Sequence, residues 1–558
     1  MKVLKFILVI FLFWACNTKQ NESAMESVND SGGLIVQRDT VYLLRNAEIT
    51  PANSYSDLFL DSTTLELYLQ AKKLSADDEK SFRSFYNYRN RQFAWFTSLG
   101  FTEQAKGFWN LQDELGTQAD KSLRNKMDTL LNGDTSNISR FDTSVINTEL
   151  ALTNAYVQFY KNNRNKTQFA FTSPEKAIPV IKQHTLVLAD SILQQRTDTS
   201  FNKISSAYSL LKRELQTYQS IAKQGGWPVV LPGTKLIKKG ASAAVITGIK
   251  RRLQKTGEMS GTDSTANFND SLLTAVKNYQ LHNGMKPSGI ITDTFIRSLN
   301  VPVEVRIQQI IINLNRMQWM QPRQVTNYIS VNIPDFLLTV FENNTKAFDI
   351  PVAVGKEGTN TTMFTGEMNQ VVFSPYWNIP ASIVQREILP KMKTDPNYLK
   401  SRRMEIVGKN DTLPTIRQLP GKDNSLGQVK FLFPNRYDIY FHDSYAKDIF
   451  NKDKRAVSHG CIRLANAEKL ANYVLRNNNN WTAQKVNTAM NAGKEQYVKL
   501  SPSIPVVITY YTAWVDETGQ LNFRDDIYSN DKKITLMMFN NITQPTLPAA
   551  KDTSIKKM

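Results

Sequence analysis

Only two cysteines occur in the 558 residues, Cys16 and Cys461, and they lie far apart. No disulfide framework braces such a chain, so burial alone must hold its fold. Histidine is nearly as scarce, with four residues. None falls in a His-Glu-x-x-His spacing, which disfavours zinc hydrolysis, and neither a metal nor a cofactor is expected. Long blocks of consecutive Lys or Arg are missing, as are zinc-finger spacings and the aromatic signature of an RNA-binding sheet. Nucleic acid is therefore not an expected partner. Nor is there an apolar run long enough to span a bilayer, which takes roughly twenty residues. Phe6–Ala15 is the longest candidate near the start and has half that length.

What is present points to an exported globular protein. A hydrophobic share of 41% with 10% aromatics is enough to build cores and argues against a largely disordered chain. The length exceeds what one core supports, so three or so folded units are expected. The formal net charge of +18, from 68 Lys and Arg against 50 Asp and Glu, is either a scattered solvated surface or an attraction to anionic material such as wall polymers. The basic start at Lys2 and Lys5, the short apolar run and the Ala15-Cys16 junction resemble a lipoprotein signal, with Cys16 as the acylated residue. The expectation is a periplasmic, membrane-anchored lipoprotein. An unlipidated or uncleaved anchor is the alternative. The polar stretch 17–33 then reads as a tether.

Periodicity divides the rest into an α+β multidomain chain. A helical scaffold is expected over 34–235, with apolar residues at three- and four-residue offsets from Phe82 through Phe96 and further helices around 145–160 and 204–222. Glycine and proline at 225–233 mark a boundary. A small three-helix unit over 236–302 carries Val245, Ile249 and Leu253, then Leu272, Val276 and Tyr279, then Phe295 and Leu299. Asn269 or Asp270 can cap its second helix. A linking helix follows over 303–325. From 326 to 535 the pattern is mainly β, with a helical and loop insertion at about 380–428, long enough to be a lid or binding insertion. The tail 536–558 reads as disordered.

The chemistry concentrates in Ser458-His459-Gly460-Cys461-Ile462-Arg463 and in Tyr440-Phe441-His442-Asp443. A lone cysteine is ordinarily a small buried hydrophobe. Here an exported chain keeps one unpaired thiol behind a glycine that lets the backbone turn. Strand alternation puts Tyr440 and His442 on one side and Ile439 and Phe441 on the other, leaving the imidazole free to meet the thiol. An imidazole in reach takes the thiol proton, so the thiol is expected to titrate well below its ordinary value of about 8.5. Backbone N–H groups near Gly460 and Cys461 are candidate oxyanion donors. A serine alternative exists on paper, Ser209-x-x-Lys212 with Lys255-Thr256-Gly257. It lacks the intervening Ser-x-Asn, and its spacing is too short for a serine transpeptidase.

His442, fifteen residues, then Ser-His-Gly-Cys-Ile-Arg resembles the signature of L,D-transpeptidases with a YkuD-type catalytic domain. The segments 372–380, 388–390, 430–435, 512–514 and 523–528 are similar to that family too. The 236–302 unit resembles a peptidoglycan-binding domain, and the whole is similar to the large multidomain periplasmic branch. The resemblance implies Cys461 as acyl-enzyme nucleophile and His442 as base, with the Asp443 carbonyl orienting the ring. It implies that Ser458 and His459 shape the loop, that Tyr440 lines the pocket, and that Arg463 braces the loop or meets a substrate carboxylate. The implied activity is 3→3 cross-linking of peptidoglycan stems. The alternatives are carboxypeptidase action on tetrapeptides and a non-catalytic wall-binding scaffold. Thr361-Thr362-Met363-Phe364 departs from the family pattern, which has Thr-Pro before the aromatic. Trp377 reads as core. Oligomeric state is not legible.

Overall fold

The structure, a computed structural model, describes residues 43–114, 121–132, 138–163, 173–194, 206–231, 236–320, 325–410 and 413–540. Cys16, the signal segment, the tether and residues 541–558 lie outside them. No described helix is long and apolar enough to cross a membrane.

Helices dominate up to residue 319. Ala76–Tyr88 starts under Ser75, whose side chain accepts from the Asp78 N–H, and three acidic residues in its first turn suit the positive end of the helix. The apolar stripe from Phe82 predicts a helix running on through Phe96, but the helix stops at Tyr88. Asn90 and Arg91 take positive φ (50° and 62°), and the chain turns so that Phe96–Thr97 pairs with Gly100–Phe101 as a small hairpin. Phe82, Phe85, Tyr86, Phe93, Trp95 and Phe96 still share one core with Trp109, Tyr156 and Phe159. Each such ring contributes roughly 1.5–3 kcal/mol through burial.

The helix Val303–Trp319 is buried on nearly every side. Ile307, Ile310, Ile311, Leu314 and Met317 join the scaffold core. Its polar residues have partners: Arg316 makes a bidentate pair with Glu103 (2.8 and 2.8 Å) and meets Asp531 at 2.6 Å, while Asn313 donates to Thr512 Oγ1 at 2.7 Å. The three helices Ala244–Lys255, Asp270–His282 and Asp293–Leu299 close over a separate apolar cluster. Asn269 caps the second of them, accepting from the Leu272 N–H.

Among the described residues nine strands form the main sheet: β1 (Tyr328–Asn332), β2 (Leu337–Glu342), β3 (Thr345–Gly355), β4 (Phe364–Phe373), β5 (Val429–Leu432), β6 (Phe441–His442), β7 (Ala456–Ser458), β8 (Ile462–Leu464) and β9 (Gln496–Thr509). Their order is β7-β3-β8-β6-β5-β4-β9-β1-β2, and β2 also pairs with β3, so the sheet closes on itself. Its interior holds Ile329, Val331, Val352, Val371, Phe431, Phe441, Ile462 and Ile508.

Two expectations need correction. The insertion is not only helix and loop: Met404–Asn410 and Leu413–Gln418 form a hairpin, and Trp377–Asn378 pairs with its second strand. The tail begins later than residue 536. Asn530–Met538 is helical, and Met538 and Phe539 are buried in the scaffold core. Ala513, Val515 and Phe523 belong to that core as well, so the chain after β9 packs on the scaffold.

Candidate active site

β6 and β8 run side by side in parallel, with His442 opposite Arg463 and Phe441 opposite Ile462. Phe441 and Ile462 are buried in the sheet interior, which turns His442 and Arg463 to the other face. There a cavity of about 1140 Å³ is lined by Tyr440, His442, Ser458, His459, Cys461 and Arg463. Six of the sequence-derived candidates thus share one space. Gly460 and Asp443 are not on its lining; they act from behind. Gly460 takes φ +116°, a conformation that side-chain-bearing residues rarely adopt, and this turns the loop between β7 and β8.

His442 Nδ1 lies 2.6 Å from the Asp443 carbonyl oxygen. A carbonyl can only accept, so Nδ1 carries the proton and Nε2 keeps its lone pair. Asp443 is itself fixed. Its N–H donates to the Val429 carbonyl at 2.9 Å, and its carboxylate accepts from Lys447 Nζ (2.6 Å) and the Gln428 N–H (3.1 Å). The half-buried Cys461 thiol donates to the Asp438 carbonyl at 3.5 Å. Among the described residues no hydrogen bond joins it to His442. Burial pushes the thiol up to about 11, against partial relief from Tyr440 hydrogen bonding. Burial and then the Arg463 cation push His442 down to about 3. Contrary to the expectation of a lowered thiol pKa, the resting pair is therefore neutral: desolvation outweighs what one imidazole contributes.

Residues 326–508 match the YkuD family, described as the L,D-transpeptidase catalytic domain, and residues 80–215 match the scaffold domain family. These residues are an L,D-transpeptidase catalytic domain preceded by a scaffold domain. A curated Haemophilus influenzae protein, provisionally assigned as an L,D-transpeptidase, is 31% identical over 230 residues, covering 38% of this chain and 46% of that protein. The chain thus spans less than half the length of that relative. Among solved structures, an L,D-transpeptidase from Mycobacterium smegmatis is 12% identical over 33% of this chain and 58% of its own, with a TM-score of 0.18. One from Stackebrandtia nassauensis is 12% identical over 44% of this chain and 91% of its own, with a TM-score of 0.21. Scores that low carry no weight; the assignment of the domain rests on the family match.

The rest of the transpeptidase domain's site was not legible as such. The insertion reaches the Ser458–Cys461 loop through Glu387, whose Oε1 lies 2.7 Å from His459 Nε2. Trp377 is half-buried: it packs against the insertion's small core of Ile379, Ile383, Val384, Ile388 and Ile416, as read from sequence, and also lines the cavity wall. Asp438 accepts from the thiol through its main chain, for which no side-chain pattern exists. The serine alternative is dispersed: Ser209 and Lys212 sit in the scaffold helix Ser206–Lys223, and Lys255 ends the helix Ala244–Lys255. None of them lines the cavity.

Proposed function

We propose that this chain is a cysteine acyltransferase that forms 3→3 cross-links between peptidoglycan stems. The observation that carries the reading is the shared cavity of His442 and Cys461, with Nδ1 tied to the Asp443 carbonyl so that Nε2 keeps its lone pair. Cys461 Sγ attacks the carbonyl of the third stem residue as His442 Nε2 takes the thiol proton. The tetrahedral oxyanion collapses, the peptide bond to the terminal D-alanine breaks, and His442 returns the proton to the leaving amine. An amine of a neighbouring stem then attacks the thioester and gives its proton to His442, which hands it to the departing sulfur. Because the resting pair is neutral, proton transfer accompanies attack and does not precede it. Water in place of the amine would make the enzyme a carboxypeptidase. In this reading 236–302 holds wall polymer, and lipidated Cys16 anchors the chain in the envelope facing its substrate.

Purified protein incubated with disaccharide-tetrapeptides, followed by mass spectrometry, tests this directly. D-alanine loss with cross-linked dimers supports it, and loss without dimers means hydrolysis. Retention of full activity in Cys461→Ser would refute the cysteine mechanism.

A further inference from the structure

Behind the nucleophile loop stands a polar brace that the reaction scheme above does not use. Thr361 is buried, and its hydroxyl donates to the Gly460 carbonyl oxygen at 2.7 Å. The same hydroxyl accepts from the Gly355 N–H at 2.9 Å, which orients its proton toward Gly460. Tyr528 fixes both neighbours: its hydroxyl donates to the Gly355 carbonyl at 2.6 Å and accepts from the Thr361 N–H at 3.3 Å. Tyr528 is held in turn by Tyr510, whose hydroxyl accepts from the Tyr528 N–H (2.9 Å) and donates to Asp526 (2.7 Å). Gly355 has no room for a side chain, since a Cβ there would lie 2.1 Å from the Thr359 carbonyl oxygen. The brace therefore approaches the loop closely and has little freedom.

The consequence follows from peptide geometry. In a trans peptide the C=O and the N–H of one unit point in opposite directions. The Gly460 carbonyl is tied inward to Thr361, so the Cys461 N–H of the same unit points the other way, toward the cavity that Cys461 lines. The Gly460 N–H is not available for that task, because it donates to Ser458 Oγ at 3.2 Å. Ser458 Oγ in turn donates to the Cys461 carbonyl at 2.6 Å. The Cys461 N–H has no partner among the described residues.

We propose that Thr361 is a positioning residue: by holding the Gly460 carbonyl it aims the Cys461 N–H at the oxyanion of the acyl-transfer step. This rests on the acyl-transfer reading above and deepens it. Thr361 touches no substrate; it acts through one peptide unit. Losing an oxyanion donor outright costs about 10²–10³ in rate, and misaiming one costs less. Thr361→Val removes the hydroxyl at nearly constant shape, Thr361→Ser keeps it, and Tyr528→Phe loosens the brace one step further back.

Two probes of Cys461 separate positioning from general damage in the full-length protein. A penem acylates the thiol through a tetrahedral oxyanion, whereas iodoacetamide alkylates it by displacement at carbon and forms none. Thr361→Val is expected to slow penem acylation by about tenfold or more, within the range for a weakened oxyanion donor. Its alkylation rate should stay within about twofold of the parent, Thr361→Ser should restore most of the acylation rate, and Tyr528→Phe should fall between. If both rates drop together, or acylation is unchanged in both Thr361→Val and Tyr528→Phe, the proposal is overturned. If Thr361→Val fails to fold, Tyr528→Phe against Thr361→Ser decides it by the same ratio. A parent that is alkylated but never acylated, by penem or by tetrapeptide, instead overturns the acyl-transfer reading and this proposal with it.

Discussion

The neutral resting state of Cys461 and His442 can be tested by titrating the thiol. With its pKa near 11, about one thiol in ten thousand is ionised at pH 7, against about one in thirty for a free cysteine near 8.5. The population difference is roughly three-hundredfold. A more basic thiolate is also a better nucleophile, and a Brønsted slope of about 0.4–0.5 returns roughly tenfold of that. Net alkylation of Cys461 by iodoacetamide at pH 7 should thus be roughly thirtyfold slower than that of a free cysteine. The rate should climb about tenfold per pH unit through pH 9 without a plateau, since the group titrates above that range. His442→Ala should leave this profile almost unchanged, because the imidazole it removes carries no charge at any pH between about 3 and 11. Pseudo-first-order alkylation, followed by intact mass from pH 5.5 to about 9.5, reads this out. A plateau below about pH 8 that disappears in His442→Ala would show a preformed ion pair and refute the reasoning.

Arg316→Met should lower stability by about 3–5 kcal/mol in urea unfolding, since it removes the buried cation shared by the mostly buried carboxylates of Glu103 and Asp531. An unchanged midpoint would mean that water solvates those carboxylates at little cost. Glu149 is buried, accepts from the Ala94 and Trp95 N–H groups, and has its pKa raised to about 7 by burial. The folded state therefore binds the extra proton, and stability should fall as pH rises from about 4.5 toward 7, by about 3 kcal/mol for this group. Glu149→Gln should remove that part of the slope while lowering stability by about 1–3 kcal/mol at acid pH, because its amide cannot accept from both N–H groups.

The site was legible wherever side-chain identity alone carries the chemistry. The alternation Tyr440–His442 against Ile439–Phe441 puts Tyr440 and His442 on the cavity side because Ile439 and Phe441 are drawn into the sheet interior. Most β strands of the main sheet follow from short branched and aromatic runs for the same reason. The insertion's hairpin was hidden because its first strand buries little: Ile406 and Val407 are both exposed, at 54% and 47%, so no alternation marks it. The halt at Tyr88 was hidden because Arg89 is buried and donates to the Gln92 carbonyl, tying the turn that two positive-φ residues complete. The thiol's pKa was misread for a similar cause. Spacing places an imidazole near a thiol, but burial decides whether either one can hold a charge.

The boundary between scaffold and catalytic domain is likewise one of sequence more than of packing. Arg316 of the long helix ties Glu103 of the scaffold to Asp531 beyond β9. Asp531 Oδ2 accepts from Thr512, three residues beyond the end of β9, and Asp526 accepts from Tyr510. Tyr510 supports Tyr528, and Tyr528 supports the two residues that hold the nucleophile loop. With Arg316 lying 5.2 Å over the Tyr510 ring, a run of largely buried polar and cation–π contacts joins the scaffold core to the Gly460–Cys461 peptide. Buried polar groups are costly unless satisfied, so each member restricts the next to one arrangement. The scaffold's contribution to chemistry then needs no residue in the cavity. It stiffens the support on which a single backbone N–H is aimed, and a catalytic domain cut at residue 508 would lose Tyr510, Asp526, Tyr528 and Asp531 together.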